Sequence, residues 1–248
     1  MIAAHRQPDY RVRFEWGPTG AAAVALPDEV AVVVDVLSFT TTLSVAMDAG
    51  ITVYPFRWKD ARAEAYAAER DAVLARDRSA RTGISLSPVT VRASSGVERL
   101  VLPSPNGSAI SFALADSGAT VVGASLRNAT AVARWVAARR TPIAVIAAGE
   151  RWADGTLRPA VEDLWGAGAV LAALADLRAT GFSPEARMAA AAYRDVAERI
   201  DAELRASASG RELVDIGFAS DVLVAGEVDD SDLVAVLRGE AFVRSTAD

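Results

Sequence analysis

Four stretches of this 248-residue chain combine groups that can do chemistry with small neighbours that can hold an anion. They are Asp35 with Ser38, Thr40, Thr41 and Thr42; Asn106-Gly107-Ser108; Ser125 with Asn128; and Gly149-Glu150 running on to Glu162-Asp163. Each falls where a strand pattern ends or a helix pattern begins. Helix starts expose unpaired N–H groups and a partial positive charge, so hydroxyl and amide side chains there can hold a phosphate or carboxylate. Carboxylates nearby can hold a cation that neutralises it. Structural roles compete at most of these places: serine and threonine after a strand cap helices, Asn-Gly makes a tight turn, and acidic residues suit a first helical turn. Asp35 is different, because it ends an otherwise wholly apolar strand, where a buried carboxylate costs several kcal/mol unless it is paired or bound to metal.

Composition narrows the chemistry. The chain has no cysteine, a single histidine (His5), and 32 acidic against 26 basic residues, for a formal charge of −6. Thiolate nucleophiles, disulfides, Fe–S clusters and Cys-zinc sites are excluded. A Ser-His-Asp triad, a phosphohistidine or a multi-His metal site needs histidine on a rigid element, and His5 reads as an exposed terminal residue. Any metal is therefore expected to be oxygen-ligated, as Mg²⁺ is. The acidic balance and the lack of a basic stripe argue against a nucleic-acid partner. No apolar run approaches the roughly 18 residues of a membrane span and no signal-peptide pattern opens the chain, so a cytoplasmic protein without membrane contact is expected. Gly166-Ala-Gly168 resembles part of a dinucleotide fingerprint but lies inside a helix, where it serves close packing. No second aspartate follows Asp35 at the spacing of aspartyl-phosphate phosphatases. Trp135, Trp152 and Trp165 read as core or rim aromatics.

The elements that must position these groups alternate. No repeat or linker divides the chain, so one domain over 1–248 is expected. Val30–Val36 is a strand apolar on both faces, as in the interior of a parallel sheet. A helix follows to about Ala49, with Ser38 or Thr40 as N-cap and Gly50 as stop. Ile51–Pro55 reads as a strand, Asp60 to about Arg76 as a long helix with a solvated face, and Gly83–Pro88 as loop. Strand–turn–helix cycles then recur: Val97–Leu102 with a helix to about Ala115, Ala119–Gly123 with Ala129–Arg140, and Pro142–Ala147 with a turn at 148–150. A loop from Arg151 to Pro159 leads to a helix starting near Ala160. The rest reads as helical, over Pro184 to about Leu204 and around 209–213, with a last short strand at Ala241–Arg244. This pattern predicts an α/β fold, a three-layer α/β/α sandwich with a largely parallel or mixed central sheet, whose ligands sit beyond the carboxyl ends of the strands.

Five motifs occur in an order that resembles the 2-phosphosulfolactate phosphatase (ComB-like) family over about residues 30–225. They are Val-Asp-Val-Leu-Ser-Phe-Thr-Thr-Thr at 34–42, Ser-Pro-Asn-Gly-Ser at 104–108, Ser-Leu-Arg-Asn-Ala at 125–129, Ala-Ala-Gly-Glu at 147–150 with Glu162-Asp163 and Gly166-Ala-Gly168, and Ser-Gly-Arg-Glu-Leu at 209–213. The resemblance implies a Mg²⁺-dependent phosphatase hydrolysing a small anionic phosphate monoester, 2-phospho-3-sulfolactate in the coenzyme M route or a related phosphorylated hydroxy acid. Asp35, Glu162 and Asp163 become the catalytic and metal-ligating candidates. Thr40, Thr41, Asn106, Gly107 and Asn128 become substrate and phosphate candidates, joined by Ser38, Thr42 and Ser108 from the reading of the helix starts. Water activated by a carboxylate is favoured as nucleophile over Asp35 itself, and Arg127 or Arg151 is expected to balance transition-state charge. Two departures stand out: many relatives carry Arg where this chain has Ser38, and Asn where it has Leu86. Loss of an arginine beside a phosphate pocket removes a bidentate anion contact. It motivates an alternative, a non-catalytic anion-binding or regulatory protein that keeps the pocket. A metal-dependent hydrolase of non-phosphate esters is a third reading, and a homodimer is left open.

Overall fold

The structure, a computed structural model, describes residues 2–57, 61–80 and 82–246, with Ala61 as backbone alone. The first half runs β1 (Val12–Trp16), α1 (Gly17–Val24), β2 (Val30–Val34), α2 (Phe39–Asp48), β3 (Thr52–Phe56), α3 (Ala61–Glu69), β4 (Val73–Leu74), α4 (Pro88–Arg92), β5 (Arg99–Pro103) and α5 (Gly107–Ala115). Next come β6 (Thr120–Ala124), α6 (Ala129–Arg139), β7 (Ile143–Ala147), a small hairpin of β8 (Glu150–Arg151) and β9 (Leu157–Arg158), and α7 (Val161–Asp176). Helices α8 (Pro184–Val196), α9 (Ile200–Ala206), α10 (Ala208–Asp215) and α11 (Ala219–Ala225) precede the closing strands β10 (Leu233–Arg238) and β11 (Ala241–Thr246).

The nine large-sheet strands lie in the order β1-β7-β2-β6-β10-β11-β3-β5-β4. β1, β7, β2 and β6 are parallel to one another, and so are β3, β5 and β4. The β10–β11 hairpin joins the two groups through antiparallel pairs on both sides, so the groups run in opposite senses. The expected α/β sandwich with a mixed sheet is what forms. β2 shows why: Val30, Val32 and Val34 face one core, built with α6, α7 and α8, while Ala31 and Val33 face the other, with α1, α2 and α5. A strand buried on both faces has no polar side to show, hence its unbroken apolar run.

Several boundaries differ from the sequence expectation. The strand expected to reach Val36 ends at Val34, which leaves Asp35 as the first residue of the loop. The long helix expected over 60–76 ends at Glu69, because Asp71 turns left-handed (φ 48°) and the chain enters β4; its expected start, Asp60, lies outside the described residues. The stretch expected to be helical from Pro184 to Leu204 is interrupted by a 3₁₀ turn at Ala197–Arg199. β10, centred in the sheet, falls where helix was expected. Among the described residues no helix is long and apolar enough to cross a membrane, and His5 is exposed on a 3₁₀ turn.

Candidate active site

Asp35 leaves the end of β2 into a buried loop and ties two helix starts together. Its Oδ1 accepts the Phe39 N–H of α2 at 3.1 Å and its Oδ2 the Gly107 N–H of α5 at 2.8 Å, with the Ser104 hydroxyl at 3.4 Å. Position 38 is the N-cap of α2, yet the Ser38 side chain makes no capping bond and Asp35 does that work instead. A side chain at position 107 would put its Cβ 2.7 Å from Asp35 Oδ2 and 2.5 Å from the Phe39 ring, so only glycine lets α5 approach. The β5 end belongs to the half-sheet of opposite sense.

Three more carboxylates surround Asp35. Asp163, in the first turn of α7, accepts the Val36 N–H at 2.7 Å and the Gly149 N–H at 2.8 Å, and so pins the loops after β2 and β7 to one helix. Glu162, 1% exposed, holds an Oε2 with no hydrogen-bond partner. Glu150, at the start of β8, accepts the Asn106 Nδ2–H at 2.9 Å. Every pair among these four carboxylates is close enough to repel. Burial first, and then these like charges, push Asp163 well above the usual carboxylate range. Burial also raises Asp35, against the N–H bonds from Gly107 and Phe39 that favour its charge. Glu150 is pushed up to about 7, by burial, then by Asp35 and Glu162, with the Asn106 bond and Arg158 opposing.

The expected hydroxyl groups lie near this cluster but are engaged in holding the backbone. Thr40 Oγ1 donates to the Asp35 carbonyl at 2.8 Å, Thr41 Oγ1 to Val36 at 2.7 Å, Thr42 Oγ1 to Leu86 at 3.1 Å, and Ser108 Oγ to Leu102 at 2.8 Å. Asn128 accepts the Ser125 N–H and donates to the Leu233 carbonyl, in a capping box that joins β6 to β10. Of the two expected arginines, Arg127 is already spent within the protein, whereas Arg151 keeps most of its donors free among the described residues. The buried guanidinium of Arg127 is taken up by Asp48, Glu227, Asp230 and Ser44, and exposed Arg151 bonds the Gly155 carbonyl of its own hairpin.

Sequence reasoning did not place two other arginines. Arg78, on a 3₁₀ turn after β4, donates through Nη2 to Ser38 Oγ at 2.7 Å. Arg158, paired with Glu150 across the β8–β9 hairpin, donates to Ser209 Oγ at 3.0 Å and so draws the 209–213 motif towards the site. Forty and fifty-one residues separate the partners of these two bonds, and no local pattern signals either. The position of Glu150 is legible, since it follows the apolar strand β7 almost directly. Gly166 lies against the end of β2, where a Cβ would stand 2.8 Å from Val34 Cγ1 and 2.5 Å from Val36 Cγ2 just beyond it, and Gly168 lies against α8, which confirms their packing role. Trp135 and Trp165 are buried, while Trp152 lies exposed on the hairpin.

All the donors in the cluster are oxygens, the type a hard divalent cation takes. Two observations fit such a cation: the orphaned Glu162 Oε2 and the mutual repulsion of three buried acids and the half-buried Glu150. Among the described residues no three carboxylates converge as a finished metal cage.

An α/β/α sandwich with a carboxylate-centred site where the loops after β2 and β7 meet the starts of α5 and α7 defines the class. A sequence profile of the 2-phosphosulpholactate phosphatase family matches residues 18–240, and the chain belongs to that family, as its ordered motifs suggest. The chain is 32% identical to a probable 2-phosphosulfolactate phosphatase of Deinococcus radiodurans over 223 residues, 86% of this chain and 90% of that one. It is 31% identical to a protein of the same description from Thermus thermophilus, also over 223 residues, covering 87% and 90%.

Proposed function

We propose that the protein hydrolyses a small anionic phosphate monoester, 2-phospho-3-sulfolactate or a related phosphorylated hydroxy acid, with water as nucleophile and Mg²⁺ as cofactor. The observation that carries this reading is the cluster of Asp35, Glu150, Glu162 and Asp163, four mutually repelling carboxylates, three buried and Glu150 half-buried, where the loops after β2 and β7 meet the start of α7, one of them with an unpartnered oxygen. Family membership supplies the reaction class and the relatives' names the substrate.

The roles divide by what each side chain is already doing. Asp35 and Asp163 fix the loops after β2 and β7 through their backbone partners. Glu162, the acid with an unpartnered oxygen, would be the primary ligand of a cation that when bound offsets the charge of Asp35 and Asp163 beside it and polarises a phosphoryl oxygen. Glu150 is the proton carrier. Asn106 holds its Oε2, and a carboxyl near 7 can take the proton of the attacking water and return it to the departing alkoxide as the ester P–O bond breaks. The products are inorganic phosphate and the free alcohol, with no net proton retained by the enzyme.

The test is release of inorganic phosphate from a panel that includes 2-phospho-3-sulfolactate, other phosphorylated hydroxy acids and carboxylic esters, with Mg²⁺ and with chelator. Mg²⁺-dependent release from an acidic phosphate ester is expected. No release from any ester, with ligand-induced thermal stabilisation retained, would replace this reading by the anion-binding one.

A further inference from the structure

Four clustered acids repel an anionic substrate, so a cationic side chain facing the site must offset them for one to dwell there. Arg127 is consumed by three carboxylates. Arg78 is placed differently. Its three hydrogen bonds, to Ser38 Oγ at 2.7 Å, to the Leu86 carbonyl at 2.9 Å and to Asp221 Oδ2 at 3.2 Å, all leave from Nη2. Its Nε is buried with no partner, and Nη1 makes no hydrogen bond among the described residues. A guanidinium offers five N–H donors in a planar fork, and this one has most of them unspent.

Its surroundings hold the fork still. The Phe218 ring lies 5.4 Å below the guanidinium carbon, and Asp221, itself fixed by the Ser87 hydroxyl, anchors one end. Arg78 also forms part of the wall between two cavities, of about 1020 and 690 Å³. The larger is bounded by Pro103, next to the Ser104 whose hydroxyl reaches Asp35, and by Leu86, whose carbonyl Arg78 shares with Thr42. Arg78 therefore borders both cavities while its Nη2 reaches Ser38, three residues along the chain from Asp35, and Nη1 is the donor left for a ligand.

We propose that Arg78 is the specificity-determining residue of this site, its guanidinium binding the second anionic group, a sulfonate or carboxylate, of a phosphate-monoester substrate. The assignment rests on the phosphatase reading above and adds to it which side chain recognises the acidic tail. Ser38, which accepts from Nη2, keeps its own O–H proton for the same anion.

The experiment compares Arg78→Lys and Arg78→Gln with the unaltered enzyme on two esters, 2-phospho-3-sulfolactate and glycerol 2-phosphate, whose alcohol is neutral. KM for the doubly acidic ester is expected to rise about 10- to 100-fold in Arg78→Gln and less in Arg78→Lys, with kcat for both esters and KM for glycerol 2-phosphate within about threefold. Equal losses on both esters, or no loss on either, would overturn the assignment. Arg78→Lys keeps a cation beside Asp221, so it serves where Arg78→Gln does not fold. Calorimetric binding of 3-sulfolactate, the phosphate-free alcohol, separates the two claims. Weakening by about tenfold or more in Arg78→Gln supports Arg78 even if no ester is turned over, an outcome that would sink only the phosphatase reading. Unchanged binding would sink Arg78 alone.

Discussion

At the scale of single residues, the acids at this site are divided by their partners. Asp35 and Asp163 each take a backbone N–H on both oxygens, whereas Glu162 has an oxygen with none. Replacing Glu162 by Gln removes one acid from a cluster of four and supplies an amide that can donate to the other three. Metal-free Glu162→Gln is therefore expected to melt higher than the native chain, by an amount corresponding to about 1–2 kcal/mol, while phosphate release falls. A lower melting temperature without metal would show that Glu162 is paired in solution. Glu150→Gln is expected to cut kcat roughly 100- to 1000-fold and to abolish the rise in rate through pH about 7, read from a pH–rate profile. A profile that keeps its inflection would assign the proton to another group. Asp35 was legible because its carboxylate interrupts nothing but apolar neighbours. Thr40, Thr41, Thr42 and Ser108 show the limit of residue type, since a hydroxyl that could hold phosphate and one that braces a carbonyl look identical in sequence, and here the bonds go to carbonyls. Arg78 is illegible for another reason: its contact with Ser38 depends on how the segment after β4 folds back.

At the scale of elements, the site is held by how closely α7 approaches β2 and α8. Gly166 packs against Val34 at the end of β2 and Val36 in the loop that carries Asp35, and Gly168 meets the Ala189 carbonyl and Tyr193 of α8. A Cβ at 168 would press on backbone, which cannot rotate away. Gly168→Ala is therefore expected to destabilise by about 2–3 kcal/mol despite the better helix propensity of alanine, lowering the melting temperature by roughly 5–10 °C. A neutral or stabilising outcome would mean that α8 shifts freely. Element types with strong local signals were readable: β2, β6 and β7 as apolar runs, and α2, α5, α6 and α7 by their starts. β10 was not, because Leu-Val-Ala-Val-Leu at 233–237 suits a buried helix as well as a strand, and only pairing with β6 and β11 decides it. The break at Asp71 likewise lies in a stretch whose composition favours helix.

At the scale of the molecule, two half-sheets of opposite sense share one acidic centre, and that centre loads the fold with charge that pH can remove. Glu150 titrates near 7 in the folded chain against an ordinary value of 4.5. The folded state therefore binds its proton more tightly than the unfolded state does, so stability is fully present below pH about 4.5 and is lost as pH rises through about 7. Glu150 alone accounts for on the order of 3 kcal/mol across that window. Asp35 and Asp163, also raised, act in the same direction. Surface acids held low, such as Glu227 beside Arg92, run the other way, but their contribution changes only below the ordinary carboxylate range. Asp221, raised by burial, adds in the same direction as the cluster. The melting temperature of metal-free protein is accordingly expected to fall by roughly 5–10 °C from pH 5.5 to 8. A cation that binds the charged cluster stabilises by mass action, so millimolar Mg²⁺ is expected to restore most of the loss at pH 8 and to do little at pH 5.5, where protons already neutralise the site. A melting temperature flat with pH would show that the four acids are solvated and not clustered. A fall that Mg²⁺ leaves untouched would keep the cluster and discard the cation.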